Sequence, residues 1–158
     1  MSGAHTDGDV IVFFRKSDVV SAGDVFATDG YPQINVDEGA NVNRAISALN
    51  RIIDIAVAEF RQQGGTMIIP GHGRLYDETD VVEYRDMLSI VRDRVQMLLK
   101  EGKTLEQIKM ARPALDYDAL YDTMSAGSWT SDMFENAIYR SLTSGSNATA
   151  GAKTSGAK

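Results

Sequence analysis

The sequence predicts an α/β chain built on a layered sheet. Three observations predict it. Two short apolar runs rich in β-branched residues lie close together near the start, a stretch of helical periodicity follows, and a third apolar run then leads into a second long helix. A helix separating a hairpin from a later strand is the pattern of an α/β layer.

Residues 10–14, Val-Ile-Val-Phe-Phe, are continuously apolar and too short for a helix, so they predict a strand buried on both faces. Arg15-Lys16-Ser17-Asp18 is a polar turn, and Val19-Val20-Ser21-Ala22 completes a hairpin. Residues 23–39 scatter Gly, Pro and Asp without a sustained period and read as a long loop. Loops of that length in compact domains tend to be functional or disordered. From 41 to 63 the apolar residues Val42, Ile46, Leu49, Ile53, Ala56, Val57 and Phe60 recur at helical spacing and form one stripe. Asn41 or Asn43 caps its start, and Gly64-Gly65 is its stop. Thr66-Met67-Ile68-Ile69 is a short strand ended by Pro70.

A tight Pro70-Gly71-His72-Gly73 loop leads to a helix over 80–100. Asp80 with Glu83 resembles a capping box, and Val81, Tyr84, Leu88, Val91, Val95 and Leu98 make the buried face. Thr104 and Gln107 carry the capping-box pattern for a short helix reaching Ala111 before Pro113. A last helix is expected over 131–142. Residues 143–158 lack any large apolar side chain and cannot offset their ordering entropy by burial, so a disordered tail is expected there. The expected organisation is one domain over 1–142 followed by that tail.

Composition bounds the function. With 43% hydrophobic residues in 158, the chain can build a core. Its net charge of -6 argues against nucleic-acid and anionic-membrane partners, whose phosphates it repels overall. No cysteine is present, so disulfides and thiolate metal sites are excluded, and the redox compartment stays open. No apolar run approaches the roughly 18 residues needed to span a bilayer.

Chemistry concentrates in three short places. These are His5-Thr6-Asp7-Gly8-Asp9 before the first strand, Ala22-Gly23-Asp24 at the end of the second, and Pro70-Gly71-His72-Gly73 past the third. Two of them follow the C-terminal ends of strands, where α/β folds gather ligands. A glycine within each of the three stretches, directly beside Asp24 and His72, permits close backbone approach. Imidazole and carboxylate are the donors expected for zinc, iron or manganese, and the chain's 2 histidines both fall here. Each residue has a plainer reading: His5 as a solvated terminal residue, His72 and Asp24 as turn residues, Asp7-Gly8 as a turn into the strand. Asp9 reads as structural, either an acceptor behind a ligand or a strand-start residue. Tyr31-Pro32 reads equally as pocket lining or as a surface aromatic.

Taken in order, His5-Thr6-Asp7-Gly8-Asp9, then Ser21-Ala22-Gly23-Asp24-Val25-Phe26, then Ile68-Ile69-Pro70-Gly71-His72-Gly73, the chain resembles the metallo-β-lactamase-fold hydrolase superfamily. The resemblance covers about residues 4–142 and takes in Trp129-Thr130-Ser131-Asp132-Met133-Phe134. It implies the C-terminal half of an αββα sandwich, a mixed sheet with helices on one face. It implies three metal ligands: His5 as the third histidine of the first metal site, Asp24 as the carboxylate bridging two metals, and His72 as the histidine of the second. Zinc is the implied cofactor, with iron or manganese as variants.

The family's main signature, His-x-His-x-Asp-His, has no counterpart here, because no third histidine exists. No catalytic residue is therefore assigned. Two ligands per metal imply weak or absent metal binding and a poor catalyst in this chain alone, since catalytic zinc takes three protein ligands. The natural N-terminus is expected to be missing, which leaves a cytoplasmic or periplasmic location open. The implied activity is hydrolysis of a small ester, thioester or lactone by a metal-bound hydroxide. A half sandwich is expected to expose its inner sheet face, around Val10, Val12 and Phe14. Its expected partners are a complementary N-terminal half or a second copy of the chain. The alternative reading is a non-catalytic truncated or remnant half-domain acting as a dimerisation module.

Overall fold

The computed structural model describes residues 3–57, 64–122 and 129–150, of which 145–150 are described by their helical backbone only. Strands β1 (Val12–Phe14) and β2 (Val19–Gly23) form the predicted hairpin, with Phe13 opposite Val20. Asp18 takes a left-handed φ of 51° in its turn, a conformation aspartate tolerates better than most residues. Helix α1 (Val42–Ile55) then carries the chain over to β3 (Met67–Pro70), which lies parallel to β2. A parallel neighbour requires such a crossover. The result is an α/β fold with a mixed, three-stranded sheet in the order β1-β2-β3.

Registration puts Val12, Phe14, Val19, Ser21, Met67 and Ile69 on one face of the sheet and Phe13, Val20 and Ile68 on the other. Val20 and Ile68 are fully buried in the same core as the apolar sides of the two long helices, and Phe13 packs against it. The opposite face is open. Val12, Met67 and Ile69 are exposed, and Phe14 is 51% exposed. The expectation of a first strand buried on both faces is corrected accordingly. An unbroken apolar run reports a strand that needs cover on both sides, and the described residues supply cover on one.

Asn41 caps α1, its side chain accepting from the Asn43 amide at 2.9 Å, and Val42, Ala45, Ile46, Ala48, Leu49 and Ile52 are buried. The helix ends at Ile55, well before Gly64-Gly65. Val57 is drawn out of it by Thr66, whose hydroxyl accepts from the Val57 amide at 2.7 Å and whose own amide donates to the Val57 carbonyl at 2.8 Å. The rest of the predicted stripe, including Phe60, lies outside the described residues.

Helix α2 (Glu78–Lys100) starts two residues before the predicted 80, because the capping box is made by Asp77 and Asp80 rather than by Asp80 and Glu83. Its buried face is the predicted one with Met87 added and Leu98 only partly covered. Helix α3 (Leu105–Ala111) has the predicted Thr104–Gln107 box. A 3-10 turn at Leu115–Tyr117 and helix α4 (Asp118–Tyr121), neither of them expected, follow it. Helix α5 (Ser131–Ala150) starts where predicted and continues past Leu142. Thr143 is accommodated there by a hydroxyl bond of 2.9 Å to the Tyr139 carbonyl. The stretch expected as a tail thus begins within this helix, and residues 151–158 lie outside the described residues.

The long 23–39 segment is packed rather than loose. Val25, Phe26, Tyr31 and Ile34 are buried. Tyr31 is buried, so it is not a surface aromatic. It stacks on Phe134 at 4.6 Å, and its hydroxyl lies 2.7 Å from Asp118 Oδ1 and 3.1 Å from the Ala114 carbonyl. Beside it, Glu135 is only 2% exposed. Its Oε1 accepts from the Ala114 amide at 3.1 Å, whereas Oε2 has no partner among the described residues. Burial, followed by the charges of Asp132 and Asp118, pushes this carboxyl up to about 7.

Candidate functional site

Two of the three loops singled out in the sequence meet at the C-terminal ends of β2 and β3. Asp24 follows Gly23, which takes a φ of 55° to turn the chain off the strand. The Gly71 amide approaches the carbonyls of Gly23, at 2.8 Å, and Phe26, at 3.0 Å, and so ties one loop to the other. Gly71 also faces the Asp24 side chain so closely that a Cβ at this position would overlap Asp24 Oδ1 and crowd the Asp24 amide. Only glycine fits there.

The same loop brings His72 Nε2 to 3.6 Å from Asp24 Oδ1, while His72 Nδ1 lies 3.9 Å from Asp29 Oδ2. His72 stands 64% exposed above this contact. Its backbone is anchored instead, because the Thr28 amide donates to the His72 carbonyl at 3.1 Å, with the Thr28 hydroxyl at 3.3 Å. Sequence reasoning did not single out Thr28 or Asp29. They sit inside the long 23–39 segment, and only the folding of that segment across β3 brings them to His72.

His5 is held differently. The Asp9 carboxylate accepts from the amides of Ala4 and His5, both at 2.7 Å, and of Thr6 at 3.2 Å. Asp9 therefore acts as a structural acceptor, one of the two roles expected of it. It also stands 4.0 Å from His5 Nδ1. His5 and Asp24 border one cavity of about 290 Å³, together with Thr6, Gly8 and Asp9. Asp24 thus stands 3.6 Å from His72 and lines the same cavity as His5. Among the described residues, no three metal-capable side chains converge on a common point.

The donors can be tested against a metal on chemistry and spacing. Imidazole and carboxylate are ordinary zinc donors, and two donors each about 2.0–2.1 Å from a tetrahedral zinc stand about 3.3 Å apart. The 3.6 Å between His72 Nε2 and Asp24 Oδ1 is longer than a hydrogen bond and close to that separation. The pair suits a zinc ion in type and spacing, but it falls short in number of the three protein ligands that a catalytic zinc takes.

Fold and site define an α/β chain with a histidine–aspartate pair at the carboxyl ends of two parallel strands. No family model matches the chain, and no curated protein sequence matches it. Among solved structures it is similar in part to the crystal structure of VMB-1, a metallo-β-lactamase, at 14% identity and a TM-score of 0.40. The match takes in 55% of this chain and 37% of that one, so this chain spans well under two thirds of its length.

Proposed function

We propose that this chain is part of a metal-dependent hydrolase of the metallo-β-lactamase superfamily, with Asp24 and His72 as ligands and His5 as a third donor across the shared cavity. The observation that carries the reading is the Asp24–His72 pair, 3.6 Å apart on two strand-end loops that Gly71 locks together. Zinc held there would supply Lewis acidity and an activated water, the chemistry suited to small esters, thioesters or lactones. The chain's own residues set the frame. Asp9 fixes the backbone of His5, Thr28 fixes that of His72, and the missing side chain of Gly71 leaves room for the Asp24 carboxylate.

The remaining ligands would come from a complementary segment whose sheet covers Val12, Phe14, Met67 and Ile69, closing an αββα sandwich. The test is a zinc titration followed by calorimetry, with cobalt absorption as a second readout. The chain alone is expected to bind weakly, and Asp24→Asn and His72→Ala are each expected to abolish the signal. Zinc uptake that ignores both substitutions would reduce the pair to an ordinary ion pair and remove the hydrolase reading.

The open sheet face favours a second reading, a non-catalytic half-domain that associates through that face. It predicts a dimer that is indifferent to zinc, measured by sedimentation with and without chelator.

A further inference from the structure

A cavity of about 330 Å³ lies between the 23–39 segment, the β3–α2 connection, the first turns of α2 and helix α4. Its walls are aromatic. Phe26 packs edge-on against Tyr76 at 5.3 Å and against Tyr84 at 5.1 Å, and Tyr84 meets Tyr121 edge-on at 5.9 Å. Tyr84 and Tyr121 are buried and form the floor, and Tyr76 is half-buried at the mouth. Asp80 and Glu83, on successive turns of α2, supply two carboxylates to the lining.

The cavity already engages a cation. The Arg74 guanidinium carbon lies 4.4 Å from the centre of the Tyr76 ring, and one of its nitrogens lies 3.4 Å from Asp80 Oδ1. An aromatic face attracts cations through its quadrupole, and guanidinium is a favoured partner. Arg74 is weakly held, however. Its side chain is 70% exposed, its ion pair with Asp80 is long, and its other bond, to the Leu75 carbonyl, is 3.3 Å, an arrangement that contributes little in water. Two carboxylates against one guanidinium leave the lining net negative. The Tyr121 hydroxyl registers that field: burial first, then the charge of Glu83 with a smaller part from Asp80, pushes it up to about 12.

We propose that this cavity is a binding site for a small organic cation bearing a guanidinium or alkylammonium group, with Arg74 as its displaceable internal occupant. The ligand's cationic head takes the place of the Arg74 guanidinium over Tyr76 and between Asp80 and Glu83. Its alkyl stem lies against the Tyr84–Tyr121 floor, where apolar contact adds to the charge term. A carboxylate ligand would meet one exposed guanidinium and be repelled by the two carboxylates of Asp80 and Glu83. The site does not rest on the metal reading, since His5, Asp24 and His72 take no part in its lining.

The experiment uses agmatine, butylamine and butyrate as probes, titrated into the full chain and followed by calorimetry and by the ring resonances of Tyr76 and Tyr121. The substitutions Arg74→Ala and Glu83→Gln are at exposed positions and leave the core intact, which a urea midpoint checks. Agmatine is expected to bind the native chain weakly and the Arg74→Ala chain about tenfold more tightly, because an internal competitor is gone. Adding Glu83→Gln to Arg74→Ala is expected to weaken agmatine at least threefold, and butylamine should follow the same order. Agmatine binding that is no tighter after Arg74→Ala would overturn the proposal. So would butyrate binding to the native chain that disappears with Arg74, which would make the cavity an anion site.

Discussion

Gly71 is packed directly against the carboxylate of Asp24, leaving no volume for a side chain between the loops that follow β2 and β3. Gly71→Ala must push the two loops apart, because the obstacle includes the Asp24 and Gly23 backbone as well as a movable carboxylate. The substitution is expected to cost about 1–3 kcal/mol, the range for forced overpacking, and to abolish any zinc response of the Asp24–His72 pair. A urea titration reads the first effect and calorimetry the second. An unchanged midpoint would mean that the loop can retreat without loss.

Asp9 gathers three backbone amides on one carboxylate. Asp9→Ala leaves those amides without their acceptor and is expected to cost about 1–3 kcal/mol. Amide exchange at His5 and Thr6 should accelerate before exchange in α2 does. Asp9→Asn keeps one acceptor oxygen and should recover part of the protection. Equal exchange in all three proteins would show that the His5 segment is held by something else.

The open sheet face makes a separate prediction. Ile69→Lys and Phe14→Glu place charges on a surface that is already exposed, so folding of the isolated chain should change by no more than about 0.5 kcal/mol. Association through that face should disappear, because a buried unpaired charge is costly at an interface. Sedimentation velocity across a concentration series separates the two effects. A native chain that stays monomeric throughout would count against self-association and leave the complementary segment as the cover.

Glu135 predicts a dependence on pH. Its carboxyl titrates near 7 in the folded chain against an ordinary value of 4.5, so the folded state holds the proton more tightly than the unfolded state. Between those two values the native chain binds more protons, and stability falls as pH rises. The contribution is fully present below about pH 4.5 and is lost as pH passes 7. At about 1.4 kcal/mol per unit, the loss is on the order of 3 kcal/mol. Glu135→Gln keeps an acceptor for the Ala114 amide and should flatten the profile in this window, as read by urea midpoints at pH 5 and pH 8. A native profile that rises from 5 to 8, with no difference in the Gln variant, would exclude this role.

Much of the fold was legible because it rests on local periodicity. The Val42, Ile46 and Leu49 stripe, the Val81-to-Val95 stripe and the Thr104 capping box depend on neighbours three or four residues away, and the sequence carries that spacing directly, although Ile52 rather than the expected Ile53 continues the first stripe. The early end of α1 was not legible, because it depends on Thr66 capturing Val57 after the chain has folded back. Nor was the N-cap of α2, since Asp77, Asp80 and Glu83 offer two overlapping boxes and only the backbone chooses between them. Local sequence identified His5, Asp24 and His72 as chemically apt and gave no distances. The pairing of Asp24 with His72 comes from two strands lying parallel, 3.6 Å of side-chain separation across 48 residues of chain. The Tyr76–Tyr84–Tyr121 cavity left no motif at all, because its walls come from four separate segments.

The parallel pairing of β2 with β3 also fixes an order of assembly. These strands cannot zip from a tight turn. Helix α1 must first collapse onto its apolar side and return the chain, and the closure entropy of that long excursion is met before any ladder bond forms. The β1–β2 hairpin needs no such excursion and can form early. Asp24 therefore acquires its strand context from the hairpin, but it acquires His72 only when β3 docks. A probe that senses the two residues together reports the closing event of folding rather than local order in either loop.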